Sequence, residues 1–261
     1  MPRKVEFPFL YSPDGKMVHI VARMSDDPGA LASILTDLRT RVNLIGTSSY
    51  SLGEGSAIFS GFGKILSSSQ GAISIQAHLS KSPMVRSCQV SESEQGLLVD
   101  KFHYGFQTPN GEAYMMVPAI SLSSTFEAFV ETFKDGGETI LFYQGRDYAL
   151  ARMEVYKRIV GSDPKTMFNN LGNILKALGW AAAEIKFDSS GNALRCVNTE
   201  CFECSAKTKN GRKCAFLRGM AVGTAEVVFG RQFASDEPRC KQRGDPVCEF
   251  VITPKDGRPL V

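Results

Sequence analysis

The sequence predicts an α+β protein of two domains, and three observations carry this prediction. The chain has 261 residues, more than the roughly 100 to 200 residues of one ordinary domain. Hydrophobic residues make up 43% and charged residues 22% of it, the balance of a folded globular protein. Strand-like alternation and helix-like periodicity follow one another along the chain. Cysteine and aromatic residues become frequent after residue 97, so we expect one domain at 1–96 and a second at 97–261.

Charge and targeting patterns exclude several function classes. The formal net charge is only +3, so direct nucleic-acid binding through a strongly basic face is not expected. No charged segment followed by an apolar stretch opens the chain, and we expect no membrane span and a cytoplasmic location. In a reducing cytosol, the seven cysteines are expected to bind metal rather than form disulfides.

The N-terminal half has the pattern of a βαββαβ unit. Apolar residues alternate with His19, Val21 and Arg23 in the first predicted strand. The Asp26-Asp27-Pro28-Gly29 segment ends this strand and offers Asp27 as a helix N-cap, with Pro28 at the first helical position. The predicted elements that follow are a helix from Ala30, strands at 42–51 and 56–65, a helix at 71–79 and a strand at 85–90.

Residues 16–92 resemble an ACT domain, a small regulatory module of amino-acid metabolism. The resemblance is carried by Asp27-Pro28-Gly29-Ala30-Leu31 at the first turn and by Val42-Asn43-Leu44-Ile45 in the second strand. ACT-like modules pair their sheets edge to edge and bind amino acids at that interface. The resemblance implies a homodimer, with a dimerisation module that holds no ligand as the alternative. The implied amino-acid site contains Asp27, Pro28, Gly29, Ala30, Leu31 and Asn43.

The C-terminal half is predicted to mix strands and helices, with a final hairpin after the last helix. A Pro109-Asn110-Gly111 turn separates its first two strands. The helices are recognised by apolar stripes at 3.6-residue spacing. The predicted strands are 97–106, 113–120, 182–187 and 194–201, and the predicted helices are 124–134, 147–160, 164–178 and 212–229.

Four potential metal ligands are expected to meet in this last section. A helix that starts at Cys214 runs about 24 Å, and an extended return from Arg231 covers about the same length. Glu237 and Cys240 therefore come back beside Cys214, and a Gly244-Asp245-Pro246 turn places Cys248 opposite Cys240. Three thiolates and one carboxylate suit a tetrahedral Zn²⁺ ion.

A second interpretation of the thiols remains open. Cys201-x-x-Cys204 has a familiar ligand spacing and forms a four-thiolate site with Cys240 and Cys248. In an extended strand, however, residues three apart face opposite sides, so this pair needs a turn to bind one ion. Cys88 and Cys196 are expected to be small buried hydrophobic residues.

The zinc is expected to be structural rather than catalytic, because four protein ligands leave no open position. The site would be anionic, and nearby basic residues would compensate its charge. No histidine follows His103 to serve as an acid, a base or a ligand. The basic residues near the site are Lys207, Lys209, Arg212, Lys213, Arg239, Lys241 and Arg243.

Residues 97–255 resemble the 4-vinyl reductase domain, a family that includes the sensor domains of phenol- and toluene-responsive transcription activators. The zinc set of that family, Cys, Glu, Cys and Cys, matches the four ligands above. Further likeness lies in Leu178-Gly179-Trp180, in Phe202-Glu203-Cys204 and in Gly219-Met220-Ala221-Val222-Gly223. The resemblance implies an internal pocket for a small hydrophobic or aromatic molecule, with Trp180 and Phe202 as candidate contacts. Phenol itself is not implied, because neither His103 nor Trp180 aligns with the pocket residues of the phenol sensors.

The sequence thus predicts a ligand-sensing regulatory protein with a structural zinc ion. The chain has no Gly-x-Gly-x-x-Gly loop, Walker lysine or Gly-x-Ser-x-Gly turn, and no catalytic residue is assigned. The first alternative is a vinyl-reductase-like enzyme, or a subunit of one, that acts on a tetrapyrrole. The second alternative is a structural assembly module.

Overall fold

A computed structural model describes residues 9–13, 15–67, 71–103, 106–107, 113–160, 163–188, 191–206 and 211–260. The fold is mixed α+β and divides into two compact units, Met1–Tyr114 and Met115–Val261. Within the described part of the chain, no helix has the length and apolar character needed to cross a membrane. The predicted Pro109-Asn110-Gly111 turn and the residues Lys207 and Lys209 lie outside the described residues.

The first unit contains a four-stranded antiparallel sheet in the order β3-β4-β2-β5, with two helices in the βαββαβ order. Leu97–Val99, which the sequence pattern assigns to the second half, pairs with a strand near the N-terminus of the first unit. The elements are β1 (Phe9–Tyr11), β2 (Met17–Ser25), α1 (Ala30–Leu38), β3 (Val42–Gly53), β4 (Ser56–Ile65), α2 (Ala72–Leu79), β5 (Val85–Glu92), β6 (Leu97–Val99), β7 (Phe106–Gln107) and β8 (Ala113–Tyr114).

Both faces of this sheet are covered, because the alternate residues of β2 enter two different clusters. Val18, Ile20 and Ala22 belong to the larger cluster, which includes buried residues of α1 and α2. Met17, on the other face, packs with Phe62 of β4 and with Leu10 and Leu98 of the β1–β6 pair. The predicted alternation of β2 is therefore correct, although its second face is also buried.

The start of α1 differs from the prediction. Gly29, at φ 92°, is the N-cap, and no side chain caps the helix. The backbone N–H of Ala30 donates to the carbonyl oxygen of Asp27, while the carboxylate of Asp27 accepts from the Ser25 hydroxyl. The left-handed conformation at Gly29 turns the chain between Asp27 and the helix. Asp27 is therefore not the N-cap, and Pro28 precedes the helix instead of opening it.

The second unit packs its helices with an antiparallel sheet in the order β11-β12-β10-β9. Short 3₁₀ turns follow two of the strands, at Phe202–Cys204 and Lys241–Arg243. The other elements are α3 (Ala119–Phe133), α4 (Asp135–Val160), α5 (Pro164–Ala177), β9 (Ala181–Phe187), β10 (Leu194–Cys201), α6 (Ala215–Phe229), β11 (Phe233–Arg239) and β12 (Cys248–Pro254).

Two predicted strands and two predicted helices change most, and the helix predicted at 124–134 begins at Ala119. The strand predicted at 97–106 is interrupted, because β6 ends at Val99 and residues 100–103 are not strand. The strand predicted at 113–120 ends at Tyr114, and α3 begins at Ala119. The helix predicted from Asp147 begins at Asp135. Glycine disfavours a helix interior, so Gly136, Gly137 and Gly145 conceal its first half in the sequence.

Close packing of α4 against α6 explains why glycine is present inside both helices. A Cβ atom at Gly145 would overlap the backbone carbonyl of Phe216, and one at Gly219 would overlap that of Phe142. Gly223 is confined in the same way by the carbonyl of Arg146. This crossing holds the N-terminal part of α6, where Cys214 is the N-cap residue, against the middle of α4.

Candidate metal centre and aromatic cluster

Five of the seven cysteines meet in the second unit, each from a different local structure. Cys201 ends β10, and the 3₁₀ turn that follows brings Cys204 back toward it. Cys214 precedes α6, Cys240 follows β11 and Cys248 begins β12. Cys204 is half-buried and the other four are buried. The turn that the Cys201-x-x-Cys204 interpretation requires is therefore present.

The Sγ···Sγ separations fit one metal ion. Zinc–sulfur bonds of about 2.3 Å in a tetrahedron give an edge of about 3.8 Å between sulfur atoms. The Sγ atom of Cys214 lies 3.8 Å from that of Cys240 and 3.7 Å from that of Cys248. Cys204 Sγ lies 3.3 Å from Cys214 Sγ, 3.5 Å from Cys248 Sγ and 3.9 Å from Cys240 Sγ. Cys201 Sγ is 3.6 Å from Cys214 Sγ.

Glu237 supplies an oxygen at the same place. Its Oε2 atom accepts a hydrogen bond of 2.8 Å from the backbone N–H of Cys214. Its Oε1 atom is buried and has no hydrogen-bond partner among the described residues. Burial and, to a smaller extent, the neighbouring Cys240 together raise the pKa of Glu237 to about 8. A buried carboxylate oxygen without a partner beside a group of thiols fits a metal ligand.

The structure thus brings the predicted quartet together and adds two thiols to it. Ligand atoms of Cys214, Glu237, Cys240 and Cys248 all lie within 4.8 Å of one another. Those of Cys201, Cys204, Cys214 and Cys248 form a second group by the same measure. These cysteines form a cluster that could bind a metal ion.

The two remaining cysteines lie apart from this cluster. Cys88 is buried in the helix-side core of the first unit, and burial raises its pKa to about 11. The Sγ atom of Cys196 is 3.7 Å from Oδ1 of Asn198, and burial raises its pKa to about 12. Both behave as small buried residues, as the sequence suggested.

Hydrogen bonds within the thiol cluster lower the pKa of two of its thiols. Bonds from Cys201, Cys204 and Cys214 lower the pKa of Cys248. Bonds from Cys204 and Cys214 lower the pKa of Cys240 to about 7. The backbone N–H of Lys241 also donates to Cys248 Sγ at 3.4 Å. Negative charge is therefore stabilised on the Cys240–Cys248 side of the cluster.

Most of the basic residues expected to compensate this charge have other partners. Arg239 pairs with Glu249 at 2.7 Å, and Lys241 donates to the carbonyl oxygen of Thr199 at 2.7 Å. Arg243 donates to the backbone carbonyl of Glu237 at 2.6 Å and so supports the segment that carries the carboxylate. The predicted role of these cations as a general counter-charge is therefore limited.

Sequence reasoning missed Glu203, which organises the start of α6. Its carboxylate is fully buried and accepts hydrogen bonds from the backbone N–H groups of Phe216, at 3.2 Å, and Leu217, at 2.6 Å. Arg212 lies 3.6 Å from the same carboxylate and donates to the Glu203 carbonyl at 2.8 Å. Burial raises the pKa of Glu203 to about 7. The Phe202-Glu203-Cys204 segment was noted only for its resemblance, and nothing in its spacing indicates a cap across the intervening loop.

An aromatic cluster adjoins the thiols. It is defined by five rings with neighbouring centroids 5.3 to 6.2 Å apart. Phe202 is buried, and the other four are partly buried. The predicted contacts Trp180 and Phe202 both belong to it, with centroids 5.9 Å apart. The members of the aromatic cluster are Phe126, Tyr148, Trp180, Phe202 and Phe216.

A surface cleft of about 380 Å³ lies elsewhere in the second unit. Its lining includes Asp135 and Phe142 of α4, Arg218 of α6 and Phe233 of β11. Neither Trp180 nor Phe202 is among the lining residues.

The predicted amino-acid site of the first unit is only partly assembled. Asp27, Pro28, Gly29 and Leu31 are exposed in one turn, and Ala30 is buried beneath it. The hydroxyl of Ser51 in β3 reaches this end of the sheet, where it donates to Asp26 at 2.5 Å. Asn43 is exposed near the other end of β3, about 26 Å from Ser51 at 3.3 Å per residue. The structure therefore does not bring Asn43 to the turn within one chain.

Comparison with known proteins gives distant relatives. No family model matches the sequence. An uncharacterized protein of Methanocaldococcus jannaschii is 28% identical over 122 residues, which cover 46% of this chain and 67% of that protein.

Three solved structures resemble the chain at TM-scores below 0.5. The phenol-responsive sensory domain of the transcription activator PoxR, solved with phenol, has a TM-score of 0.47 and 13% identity, over 88% of this chain and 95% of that one. A trafficking protein particle complex subunit 3 from Naegleria fowleri, covalently bound to palmitic acid, has a TM-score of 0.43 and 16% identity. This likeness covers 52% of this chain and 95% of that one. A vinyl-4-reductase family protein from Methanocaldococcus jannaschii has a TM-score of 0.38 and 16% identity, over 54% and 83%.

Proposed function

We propose that the chain is a ligand-sensing regulatory protein whose second unit holds a structural zinc ion and takes a small hydrophobic or aromatic molecule at the aromatic cluster. One observation carries the proposal. Phe202 follows Cys201 directly, and Phe216 lies two residues after Cys214. The segment of Phe216 therefore also carries the proposed ligand Cys214, and the thiol beside Phe202 lies 3.6 Å from that of Cys214. A ligand among the rings and an ion at Cys214 would act on the same backbone.

The proposed zinc ligands are Cys214, Glu237, Cys240 and Cys248. The Sγ separations of the three cysteines support this set, and so does the Oε1 atom of Glu237, which has no hydrogen-bond partner in the described part of the chain. Cys204 is the competing fourth ligand, because its Sγ atom lies 3.3 to 3.9 Å from the same three sulfur atoms. Zinc bound there would supply folding free energy and fix the start of α6, the end of β11 and the start of β12 relative to one another.

Ligand binding requires the aromatic cluster to open, since its rings already touch one another. Helix α3 contributes one ring, Phe126, whose centroid lies 5.8 Å from Phe202 and 5.6 Å from Phe216. The same helix is held by its Ser123 hydroxyl, which donates to the carbonyl of Glu203 at 2.6 Å. A ligand that replaces the Phe126 contacts would shift α3 and the segment beside the metal. Such a shift transmits a signal only as far as the ligand prefers one arrangement over the other.

The sole tryptophan provides a direct test, because Trp180 belongs to the aromatic cluster. Zinc-loaded protein is titrated with toluene, phenol and naphthalene, with excitation at the red edge of tryptophan absorption. We expect a saturable change in Trp180 emission with at least one of these probes. Phe216→Leu should weaken that binding at least tenfold, whereas Phe129→Leu, on α3 but outside the aromatic cluster, should leave it unchanged.

Zinc removal completes this test. Metal and ligand would be coupled through shared segments, so chelated protein should bind the same probe more weakly, and the probe should raise zinc affinity by the same factor. A response that never saturates with any probe, or equal affinity in wild type and Phe216→Leu, would exclude the ligand site.

The fourth zinc ligand is settled by two variants. Glu237→Gln keeps an acceptor for the Cys214 N–H but removes the carboxylate, and we expect zinc affinity to fall about 100-fold. Cys204→Ser should lower it less than tenfold. The opposite ranking, measured by competition with a chromophoric chelator, would assign the fourth position to Cys204.

We propose a homodimer formed through the edge strand β3 of the first unit. This strand is long and lies at the edge of its sheet. Ile45, Tyr50 and Leu52 each leave about half of their surface exposed. Such an edge favours pairing with a second copy. Ile45→Lys should shift the protein toward monomer in sedimentation experiments. Ile73, on the exposed side of α2, provides the matched control, and Ile73→Lys should leave the oligomeric state unchanged.

The exposed Asp27–Leu31 turn is the proposed amino-acid site of that dimer. Titration calorimetry across the common amino acids tests it, with Asp27→Ala as the variant that should weaken any binding found. No detectable heat with any amino acid would leave only the dimer.

A further inference from the structure

The sheet face of the first unit that is turned away from its helices carries a buried histidine. His19 lies on β2, is fully buried and stacks on Phe62 at a centroid distance of 4.1 Å. The pairing of β1 with β6 covers this face, and the chain leaves β6 directly into Asp100. The 100–103 segment is thereby placed over His19.

Three side chains with metal-binding atoms meet at this point. His19 Nδ1 lies 3.6 Å from Asp100 Oδ1, and His103 Nδ1 lies 2.8 Å from Asp100 Oδ2. One ligand atom of each residue lies within 4.8 Å of the other two. The donor set is two imidazole nitrogens and one carboxylate oxygen.

The surroundings fix the orientation of the ligands. His19 Nε2 is 2.9 Å from the hydroxyl of Ser60 on β4. Asp100 Oδ1 accepts from the backbone N–H groups of Phe102, at 2.8 Å, and His103, at 3.0 Å. Metal-binding histidines and carboxylates usually make such secondary hydrogen bonds, which hold the ligand atoms in place before the ion arrives.

The Nδ1 atom of His19 lacks a hydrogen-bond partner among the described residues. With the ring proton on Nε2, the lone pair of Nδ1 faces a carboxylate 3.6 Å away. With the proton on Nδ1, that distance is too long for a hydrogen bond. In both tautomers a buried nitrogen beside an anionic group is unsatisfied, which costs free energy. A cation between Nδ1 and the carboxylate satisfies both.

We propose that His19, Asp100 and His103 bind a divalent first-row transition-metal ion. Imidazole nitrogen favours such ions over Mg²⁺ or Ca²⁺, which prefer oxygen ligands. Metal–ligand bonds of about 2.1 Å place neighbouring donor atoms about 3.0 to 3.4 Å apart, and the observed 3.6 and 2.8 Å lie within a few tenths of an ångström of this range. Metal binding at Nδ1 of His103 displaces the proton that faces Asp100, and the neutral imidazole then carries its proton on Nε2.

The site is open on one side. The side chains of His103 and Asp100 are 34% and 17% exposed, whereas His19 is buried. Three protein ligands leave at least one coordination position for water or a small anionic or chelating ligand, as in zinc sites that are not purely structural. The first unit would thus have a metal-dependent ligand site separate from the Asp27–Leu31 turn.

The experiment titrates full-length, metal-free protein with Co²⁺ and follows its absorption. The thiol cluster binds the first equivalent of Co²⁺ and gives sulfur-to-cobalt charge-transfer bands. We expect a second equivalent to add ligand-field bands without further charge transfer, and Zn²⁺-loaded protein to contain two ions per chain. His103→Gln and Asp100→Asn should weaken the second equivalent at least about 100-fold and leave the charge-transfer bands intact.

The third histidine of the chain provides the control, because His78 lies on α2 and its Nδ1 atom contacts Arg41. His78→Gln should keep both equivalents. Circular dichroism of His103→Gln checks that the fold is preserved, which its exposed position favours. Saturation of wild type at one equivalent, or a second equivalent that is unchanged in both site variants, would overturn the proposal.

Discussion

The thiol cluster of the second unit and the His19–Asp100–His103 group of the first unit differ in the number and the burial of their donor atoms. The thiol cluster contains five sulfur atoms and one carboxylate in two overlapping groups of four donors, and all of these residues but Cys204 are buried. The histidine group has three donors and one exposed member. The first has more donors than a tetrahedral ion needs, and the second has fewer than an ion takes.

This difference predicts different roles for the two sites. An ion held by thiols at the ends of several elements would become part of the fold of the second unit, because it would tie those ends together. An ion held by His19, Asp100 and His103 would lie on a sheet that already has an apolar core on each face. Its loss should change ligand binding and leave the fold in place.

Cys214→Ser gives the largest expected effect and tests this contrast directly. We expect loss of the thiol-bound zinc and of folding free energy on the order of 10 kcal/mol in the second unit. Metal analysis and thermal unfolding with and without a chelator measure the two losses. Cys88→Ala, in the core of the first unit, should retain the zinc. Two full equivalents of zinc in Cys214→Ser, or unfolding of the first unit in His103→Gln, would contradict the different roles of the two sites.

Glu203→Ala asks whether the thiol cluster depends on its buried polar support. The substitution removes the acceptor of two backbone N–H groups at the start of α6 and the carboxylate beside Arg212. We expect a loss of about 4 kcal/mol in urea unfolding. Glu184→Ala, which breaks the exposed pair with Lys186, should cost less than about 0.5 kcal/mol. Equal costs for the two variants would rule out a special role for Glu203.

Gly219→Ala tests whether the α4–α6 crossing positions the cluster. The new methyl group would overlap the carbonyl of Phe142, and we expect a loss of about 3 kcal/mol with weaker zinc binding. Gly136→Ala is the matched control, because no atom lies within 4 Å of its added Cβ. In the first turn of α4 it should stabilise the protein by up to about 1 kcal/mol. A stabilising Gly219→Ala would show that the helices can separate at no cost.

The smallest expected difference compares helix starts in the two units. Asp163 caps α5, since its carboxylate accepts from the N–H of Thr166 at 2.8 Å, and Asp163→Ala should cost about 1 kcal/mol. Asp27→Ala should cost less than about 0.5 kcal/mol, because Gly29 rather than Asp27 begins α1. Chemical denaturation of both variants measures the two losses of unfolding free energy. A larger cost at Asp27 would restore the capping role that its sequence position suggests.

Periodic apolar patterns predicted most elements well. The strands at Ser56–Ile65 and Leu194–Cys201 have the predicted bounds, because alternation and turn residues agree there. The first half of α4 could not be predicted, since its glycines are explained only by packing against α6. The start of α1 at Gly29 depends on a left-handed backbone conformation that the amino-acid composition does not reveal.

The candidate sites were predictable to different degrees. Chain-length arithmetic was enough to expect Glu237 and Cys240 beside Cys214, because one helix and one returning strand connect them, and the Gly244-Asp245-Pro246 turn added Cys248. The approach of Cys204 depends on a 3₁₀ turn that an extended strand would not make. His19 and Asp100 meet through the β1–β6 pairing, a long-range contact with no local pattern in the sequence.

The glycines of the α4–α6 crossing also restrict how this sequence can diverge. Gly145 faces the backbone carbonyl of Phe216, and Gly219 faces that of Phe142. A smaller side chain at either partner position would leave these carbonyl groups where they are, so no second-site change in side-chain volume can compensate. In an alignment of homologues that keep this crossing, the two positions should therefore be invariant and show no covariation with their contact partners.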